Sequence, residues 1–255
     1  SRNLSDSRGI SYSLDTLGSV AAAVGDYSSA RAYLEESLEI ARESGGPIAV
    51  AGTLSTLGRT VGHQGDASLA SEYLNESIQV ARQVGYRRGL SLSLTSLGVL
   101  EFLEGKFDTA ESNFKESLGV AEELASKPLT ASALLGLGIV ANERDETEEA
   151  RRLLGSALQI QTEIANPLGI AECLEALAAV LGSEDPLDGA TFFGAAEALR
   201  EGIGCPLSPV EMEKYRVQVR RLQERIEEDA FREAWSRGRA MPVDEALQLT
   251  SNPLG

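Results

Sequence analysis

The sequence predicts an all-α fold, an α-α solenoid of about five helical hairpins with a 40-residue period and a helical C-terminal cap. The motif Leu-x-x-Leu-Gly begins at Leu14, Leu54, Leu94 and Leu134 and returns in a weaker form, Leu-x-x-Leu-Ala, at Leu174. No insertion or deletion interrupts the period, which is typical of stacked helical units. Aromatic residues make up only 5% of the chain, while Ala, Leu, Gly and Ser dominate, a composition that favours close helix packing over sheets.

Each repeat contains the signals of a helix, a tight turn and a second helix. In the first repeat Leu14 and Leu17 lie on one helical stripe, and Gly18 removes a side chain where the second helix must approach. Gly25 ends the first helix, because glycine adopts the left-handed conformation at little cost, and Asp26 caps the second helix. The spacing therefore predicts a helical hairpin.

The second helix has a pattern of its own. Ala30 is a small residue that lets the two helices cross, and Leu34 and Leu38 extend the apolar stripe. In the fourth repeat Asp145 stands where the first three repeats have the turn glycine. Aspartate tolerates positive φ better than most residues, so we expect this turn to persist with some strain.

These motifs resemble the tetratricopeptide repeat (TPR), whose signature combines a Leu-Gly pair, a turn glycine, an aromatic residue such as Tyr27 and an alanine such as Ala30. The resemblance implies a right-handed TPR superhelix in which the first helices form a concave binding wall. The period is 40 rather than about 34 residues, and Leu14 and its counterparts replace the family's tryptophan. HEAT and armadillo arrays share the longer period and remain the alternative, although the Leu-Gly, Gly-Asp-Tyr and Ala positions favour TPR.

The motifs also predict a domain organisation. Residues 7–11 match residues 87–91, interpreted as the loop that joins two repeats, so we expect residues 1–10 to end a truncated preceding repeat. On this interpretation the chain is the C-terminal piece of a longer protein, and the alternative is a full protein whose first residues are disordered. The TPR array is expected over 11–203, and the helical cap over 204–255. The predicted repeats lie near 11–50, 51–90, 91–130, 131–170 and 171–203.

The cap has its own helix signals. Pro186 is suited to open a helix that Gly202 and Gly204 end, and Ser208-Pro209-Val210-Glu211 is a capping box that opens the next. An apolar stripe then runs until Gly238, and Pro242 starts a short last helix. The stripe consists of Tyr215, Val219, Leu222, Ile226, Phe231, Ala234 and Trp235.

This tail is similar to the C-terminal region of bacterial signalling regulators. The resemblance is carried by the segments 194–200, 206–209 and 238–241 together with the repeats before them. It points to MalT-like, LuxR-type or STAND (NB-ARC-like) proteins, whose output domain precedes the repeats. It implies a cytoplasmic sensor portion of a transcriptional or signalling regulator.

Composition excludes several other functions. The chain has 23 Lys and Arg against 39 Asp and Glu, a formal net charge of −16, so direct nucleic-acid binding by this segment is not expected. No apolar run is long enough for a membrane span. Cys173 and Cys205 form no CxxC motif, and His63 is the only histidine, so we expect no metal, no cofactor and no catalysis.

Binding is instead expected on the concave wall. Arg59 and His63 lie one helical turn apart and could hold a peptide carboxylate or phosphate, unless they are only a solvent-facing pair. An apolar stripe from Val99 to Ile139 is either a binding patch or a packing surface. The predicted concave residues are Tyr12, Asp15, Ser19, Ser55, Arg59, His63, Thr95, Val99, Phe102, Leu135, Ile139, Asn142 and Glu175.

The function predicted from the sequence is therefore non-catalytic protein–protein interaction. The expected partner is a protein or peptide bound in the concave TPR groove, and the N-terminal domains of the parent chain itself are one candidate. One alternative is a receptor for a small-molecule or peptide inducer. The other is an oligomerisation scaffold, in which the chain forms a homo-oligomer.

Overall fold

The computed structural model describes the backbone of residues 2–44 and 46–251 and the side chains of residues 7–44 and 46–249. Within these residues the chain forms thirteen helices and no strand, which confirms the all-α prediction. The helices are α1 (Arg2–Ala23), α2 (Tyr27–Glu43), α3 (Pro47–His63), α4 (Ala67–Val84), α5 (Arg87–Leu103), α6 (Phe107–Glu123), α7 (Lys127–Glu143), α8 (Thr147–Glu163), α9 (Pro167–Glu184), α10 (Pro186–Ile203), α11 (Pro209–Gln223), α12 (Glu228–Ala240) and α13 (Val243–Ser251).

The first ten helices pair as five consecutive hairpins, from α1 with α2 to α9 with α10. The predicted series of helical hairpins is confirmed. The chain divides into two compact units, and each is described by itself. The first unit comprises Ser1–Ala125 and Leu207–Glu211, and the second comprises Ser126–Pro206 and Met212–Gly255.

The turn within each hairpin forms as its sequence predicts. Gly25 adopts a φ of 83°, and Asp26 caps α2 by accepting a hydrogen bond at Oδ1 from the Ser29 amide at 3.1 Å. Asp145 adopts the same left-handed conformation, with a φ of 59°, so the expected persistence of this turn with aspartate in place of glycine is confirmed. Ala165, in the turn between α8 and α9, has a φ of 51° that no motif predicted.

Glycines on the first helices allow the hairpins to close. A Cβ atom added at Gly18 would stand 2.6 Å from Leu34 Cγ, and one added at Gly58 would stand 2.6 Å from Leu74 Cγ. Both distances are too short for a side chain, which confirms the predicted close approach. The apolar core of the first two hairpins lies beside these contacts. It contains Leu34, Leu38, Ala41, Val50, Leu54 and Leu57.

Buried hydroxyl groups link neighbouring helices of the first unit with the same period. Ser37 Oγ donates to the Ser11 carbonyl at 2.8 Å, and Ser77 Oγ donates to the Ala51 carbonyl at 2.6 Å. Ser117 Oγ repeats the contact one period later. The position that corresponds to Ser117 in the second unit is Ala157, so the hydroxyl series ends with the first unit.

Residues 87–91, interpreted as a loop between repeats, instead form the first turns of α5, and the matching residues 7–11 lie within α1. Helix propensity does not explain this, because both stretches contain a glycine, at Gly9 and Gly89, which is a poor helix former. That residues 1–10 end a truncated preceding repeat stays a prediction. The apolar stripe of the cap is interrupted between α11 and α12, and Gly238 lies inside α12 instead of ending it.

The cap nevertheless has a definite packing partner in the second unit, because α12 packs against α10. A Cβ atom at Gly238 would overlap the backbone of Thr191, so glycine is required where the two helices cross. Trp235 Nε1 donates to Glu197 Oε2 at 2.9 Å beside this crossing. The helix opening expected at Pro186 is confirmed, and the last helix, expected to start at Pro242, begins one residue later at Val243.

Candidate binding surface

The candidate site lies on the first helices of the first unit, where α3 packs against both α1 and α5. Asp15 comes from α1, and Arg59 and His63 come from one face of α3. Arg59 is exposed, while Asp15 and His63 are half-buried. The structure therefore brings together three of the predicted concave residues, since Arg59 interacts electrostatically with both of the others.

The histidine has two neighbours that the sequence did not identify. Its ring stacks on Tyr27 with the centroids 5.5 Å apart and the planes at 26°. Its Nδ1 atom lies 4.0 Å from Glu211 Oε2, the limit of an ion pair. In the sequence, Tyr27 is recognisable only as the repeat's aromatic residue, and Glu211 only as part of a helix cap.

Burial shifts the ionisation of the two half-buried groups. Burial raises the pKa of Asp15, and the nearby Thr53 hydroxyl and the positive charge of Arg59 oppose this shift. Burial lowers the pKa of His63, Arg59 adds to the shift, and the negative charge of Glu211 opposes it. One carboxylate oxygen, Asp15 Oδ1, is buried and accepts no hydrogen bond. The cluster therefore contains polar groups that water solvates poorly, a property common in binding sites.

The short segment Leu207–Glu211 belongs to the first unit. The Ser208 amide donates to Glu211 Oε2 at 2.8 Å, and the Glu211 amide donates to Ser208 Oγ at 3.3 Å. The predicted capping box is thereby confirmed. Val210 lies over the turn between α3 and α4, with its Cγ2 atom 4.0 Å from the position a Cβ atom on Gly65 would take.

Other predicted residues of the first unit lie in varied surroundings. Tyr12 is strongly exposed, and Ser19 is half-buried. Ser55 is only 8% exposed, which leaves little of it available to a ligand. Thr95 Oγ1 shares a 2.8 Å hydrogen bond with Ser117 Oγ, so Thr95 faces α6.

The predicted apolar stripe divides between the two units. Val99 is exposed, and Phe102 packs against Phe107 with the ring centroids 5.7 Å apart. Both belong to the first unit, whereas Leu135 and Ile139 belong to the second and are half-buried there. Val99 and Phe102 thus lie near the C-terminal end of α5, next to the turn that follows it.

Two predicted residues of the second unit are also half-buried, Asn142 and Glu175. Glu175 accepts two hydrogen bonds from Arg200, at 2.5 and 2.9 Å, and both side chains are largely shielded from solvent. The Glu175 carboxylate is therefore already bonded to Arg200 within the second unit. The first unit therefore carries the more open polar cluster.

Other kinds of site find no support in the described part of the chain. No group of three or more His, Cys, Asp or Glu side chains there could hold a metal ion. Burial raises the pKa of Cys173, which keeps its thiol protonated and unreactive. No described helix has the length and apolar character that crossing a bilayer demands.

Comparisons with known proteins agree with this architecture. A family model described as "Tetratricopeptide repeat" matches residues 9–83 and 89–163. None of the curated proteins matches the sequence. Among solved structures, BtubC (BKLC) from P. vanneervenii is 19% identical with a TM-score of 0.58, over 79% of this chain and 88% of that one.

Two further structures are complexes of Rap proteins. A Rap protein with competence and sporulation factor is 12% identical, with a TM-score of 0.72 over 97% of this chain and 66% of that one. The Rap conjugation gene regulator of plasmid pLS20 with the Phr* peptide is 14% identical, with a TM-score of 0.64 and the same coverages. The chain thus spans 66% of the length of each Rap chain, and identities this low show a shared fold alone.

Proposed function

The chain belongs to the tetratricopeptide repeat family, and from that premise we propose that its first unit recognises an acidic segment of a peptide or protein. TPR arrays are protein–protein interaction modules that bind along the surface of stacked helices. The TPR fold is generally a non-catalytic scaffold. The function that this chain supports best is therefore recognition without catalysis.

One observation carries the proposal: a cation, an aromatic ring and an imidazole converge on the surface of α3 in a strongly acidic chain. Arg59 is exposed and lies one turn from His63, which stacks on Tyr27. A carboxylate, that of Glu211, already lies next to the imidazole. An anionic group on a ligand would gain a charge-assisted hydrogen bond from Arg59, and the rings would provide apolar contact.

We propose further that this recognition serves a bacterial transcriptional or signalling regulator of the MalT-like, LuxR-type or STAND kind, acting in the cytoplasm. The Rap structures support a peptide as the ligand, since they hold a competence and sporulation factor and a Phr* peptide. A ligand would control such a regulator only by binding its active and resting states with different affinities.

The test uses random 12-residue peptides selected on the wild-type chain and measured by fluorescence anisotropy. We expect Arg59→Glu to weaken the selected peptides by about tenfold or more, the equivalent of about 1.4 kcal/mol. Arg88→Glu is the matched control, because Arg88 is exposed at the start of α5 away from the cluster, and it should change affinity by less than about twofold. Equal affinity for wild type and Arg59→Glu would rule the proposal out.

A second candidate, self-association, is favoured by the surface of α1. Ile10, Leu17 and Val20 are 52%, 50% and 58% exposed. The residues one period later, Val50, Leu57 and Thr60, are 9%, 0% and 0% exposed because α2 covers that face of α3. An exposed stripe of this kind suits association with a second copy.

Light scattering over a concentration series tests this candidate. Self-association predicts that the wild-type mass increases with concentration and that Leu17→Glu remains monomeric. A wild-type chain that stays monomeric across the series would exclude this function.

A further inference from the structure

The segment Leu207–Glu211 is seated on the first unit in the manner of a bound peptide. Ser208, which caps the helix that follows, is only 1% exposed. Val210 packs over the turn at Gly65, and Glu211 lies beside His63. The adjacent side chains of Val210 and Glu211 thus reach the surface at the end of α3 at two points, the turn at Gly65 and the ring of His63.

This arrangement shows the chemistry that the surface accepts. The capping box holds the Glu211 carboxylate in a fixed orientation, because it bonds the Ser208 amide at 2.8 Å. The oxygen that accepts this bond, Oε2, is also the one that lies 4.0 Å from His63 Nδ1. In this segment the carboxylate is presented by the first turn of α11, directly after the apolar residue Val210.

We infer that the surface at the end of α3 is a docking site for an apolar residue followed by glutamate on the first turn of an α-helix, and that residues 207–211 occupy this site in cis. The inference rests on the proposed function, since it names the ligand class of the same surface. A partner with this pattern binds by displacing the chain's own segment.

The contact is suited to displacement. At 4.0 Å it lies at the limit of an ion pair, and the side chains of His63 and Glu211 keep 28% and 40% of their exposure. Val210 Cγ2 lies 4.0 Å from the position that a Cβ atom on Gly65 would take, so no side chain of the turn interlocks with it there. A competing peptide therefore replaces a marginal ion pair, although displacement also exposes the buried Ser208.

The test uses a fluorescent peptide of residues 206–218, PLSPVEMEKYRVQ, and the full chain. Glu211→Gln removes the charge but keeps a residue that completes a capping box, so the helix start is retained. We expect this variant to bind the peptide about three- to tenfold more tightly than wild type, because its own segment competes less. Glu213→Gln, a more exposed acidic residue on the same helix, is the matched control and should bind as wild type does.

The single histidine gives a direct second readout by NMR. In Glu211→Gln the pKa of His63 should fall, since the carboxylate that raises it is lost, and the added peptide should raise it again. A peptide whose glutamate at the position of Glu211 is replaced by glutamine should not restore it. Inorganic phosphate at equal concentration is expected to leave the histidine signal unchanged, and an equal effect of phosphate would show a general anion site instead.

The outcomes separate this inference from the function on which it rests. If Arg59→Glu abolishes binding of selected peptides while the 206–218 peptide binds neither wild type nor Glu211→Gln, recognition stands and occupation in cis is wrong. If the 206–218 peptide binds without moving the histidine signal, the inference is also wrong. If Arg59→Glu has no effect on any peptide, both fail.

Discussion

Substituting alanine for Gly238 tests how the cap is held on the second unit. A Cβ atom at this position would lie 2.7 Å from the carbonyl carbon of Thr191 and closer still to its oxygen, so it meets rigid backbone. Helices α12 and α10 must then move apart. Overpacking of this kind costs about 1–3 kcal/mol. With a urea m-value of about 2 kcal/mol/M, the midpoint of unfolding falls by about 0.5–1.5 M.

The chain provides its own probe for this change, because its single tryptophan, Trp235, lies on α12. Urea unfolding followed by tryptophan fluorescence should show the lower midpoint and, before unfolding, an emission shift as the bond from Trp235 to Glu197 loosens. Gly202→Ala is the control, since no neighbouring atom lies within 4 Å of its added Cβ. That control should gain about 0.5–1 kcal/mol from helix propensity. If Gly238→Ala were as stable as wild type, the close crossing of α10 and α12 would be refuted.

Two further predictions concern a turn and a histidine. Ala165→Gly should stabilise the second unit by about 1 kcal/mol, because the left-handed conformation at φ 51° costs a residue with a Cβ about 1–2 kcal/mol. The control, Ala32→Gly in the exposed middle of α2, should instead destabilise the protein by about 1 kcal/mol. Urea midpoints that move in the same direction for both variants would contradict this prediction. Because burial lowers the pKa of folded His63, the unfolded chain binds this proton more tightly, so stability is complete above about pH 6.5 and falls as the pH drops towards the folded value. His63→Gln should lose this decrease between pH 7.5 and pH 5, and wild type and variant midpoints that fall in parallel would show that His63 does not cause it.

Much of the fold could be predicted because its determinants repeat. The glycine at position 25 and the aspartate at position 26 mark the same turn in successive repeats, and even Asp145 retains enough tolerance of positive φ to be recognised. Ala165 could not be recognised, since alanine has no preference for the left-handed conformation and the packing of α8 and α9 imposes it. Glycine commonly ends helices, so Gly238 predicts a helix end. In the structure it instead lies inside α12 and allows the close crossing with α10.

The candidate site was predictable only where it follows helical spacing. Arg59 and His63 lie one turn apart on α3, so helical spacing alone predicts that their side chains share one face. Tyr27 and Glu211 reach the same imidazole from other elements of the first unit, and no local pattern records such contacts. The capping box predicted the structure around Glu211 correctly and yet gave no indication of its neighbour.

The hydroxyl series of the first unit also bears on the site. Ser37 bonds the Ser11 carbonyl on α1 and shares a longer contact, 3.4 Å, with Thr53 Oγ1 on α3. Sliding one helix along another would leave these buried hydroxyl groups without partners, at a cost of about 1–3 kcal/mol each. Thr53 in turn lies beside Asp15 and lowers its pKa. The bonds that fix the register of α1, α2 and α3 therefore also hold Asp15 in place relative to Arg59, so that the polar cluster is formed before any ligand arrives.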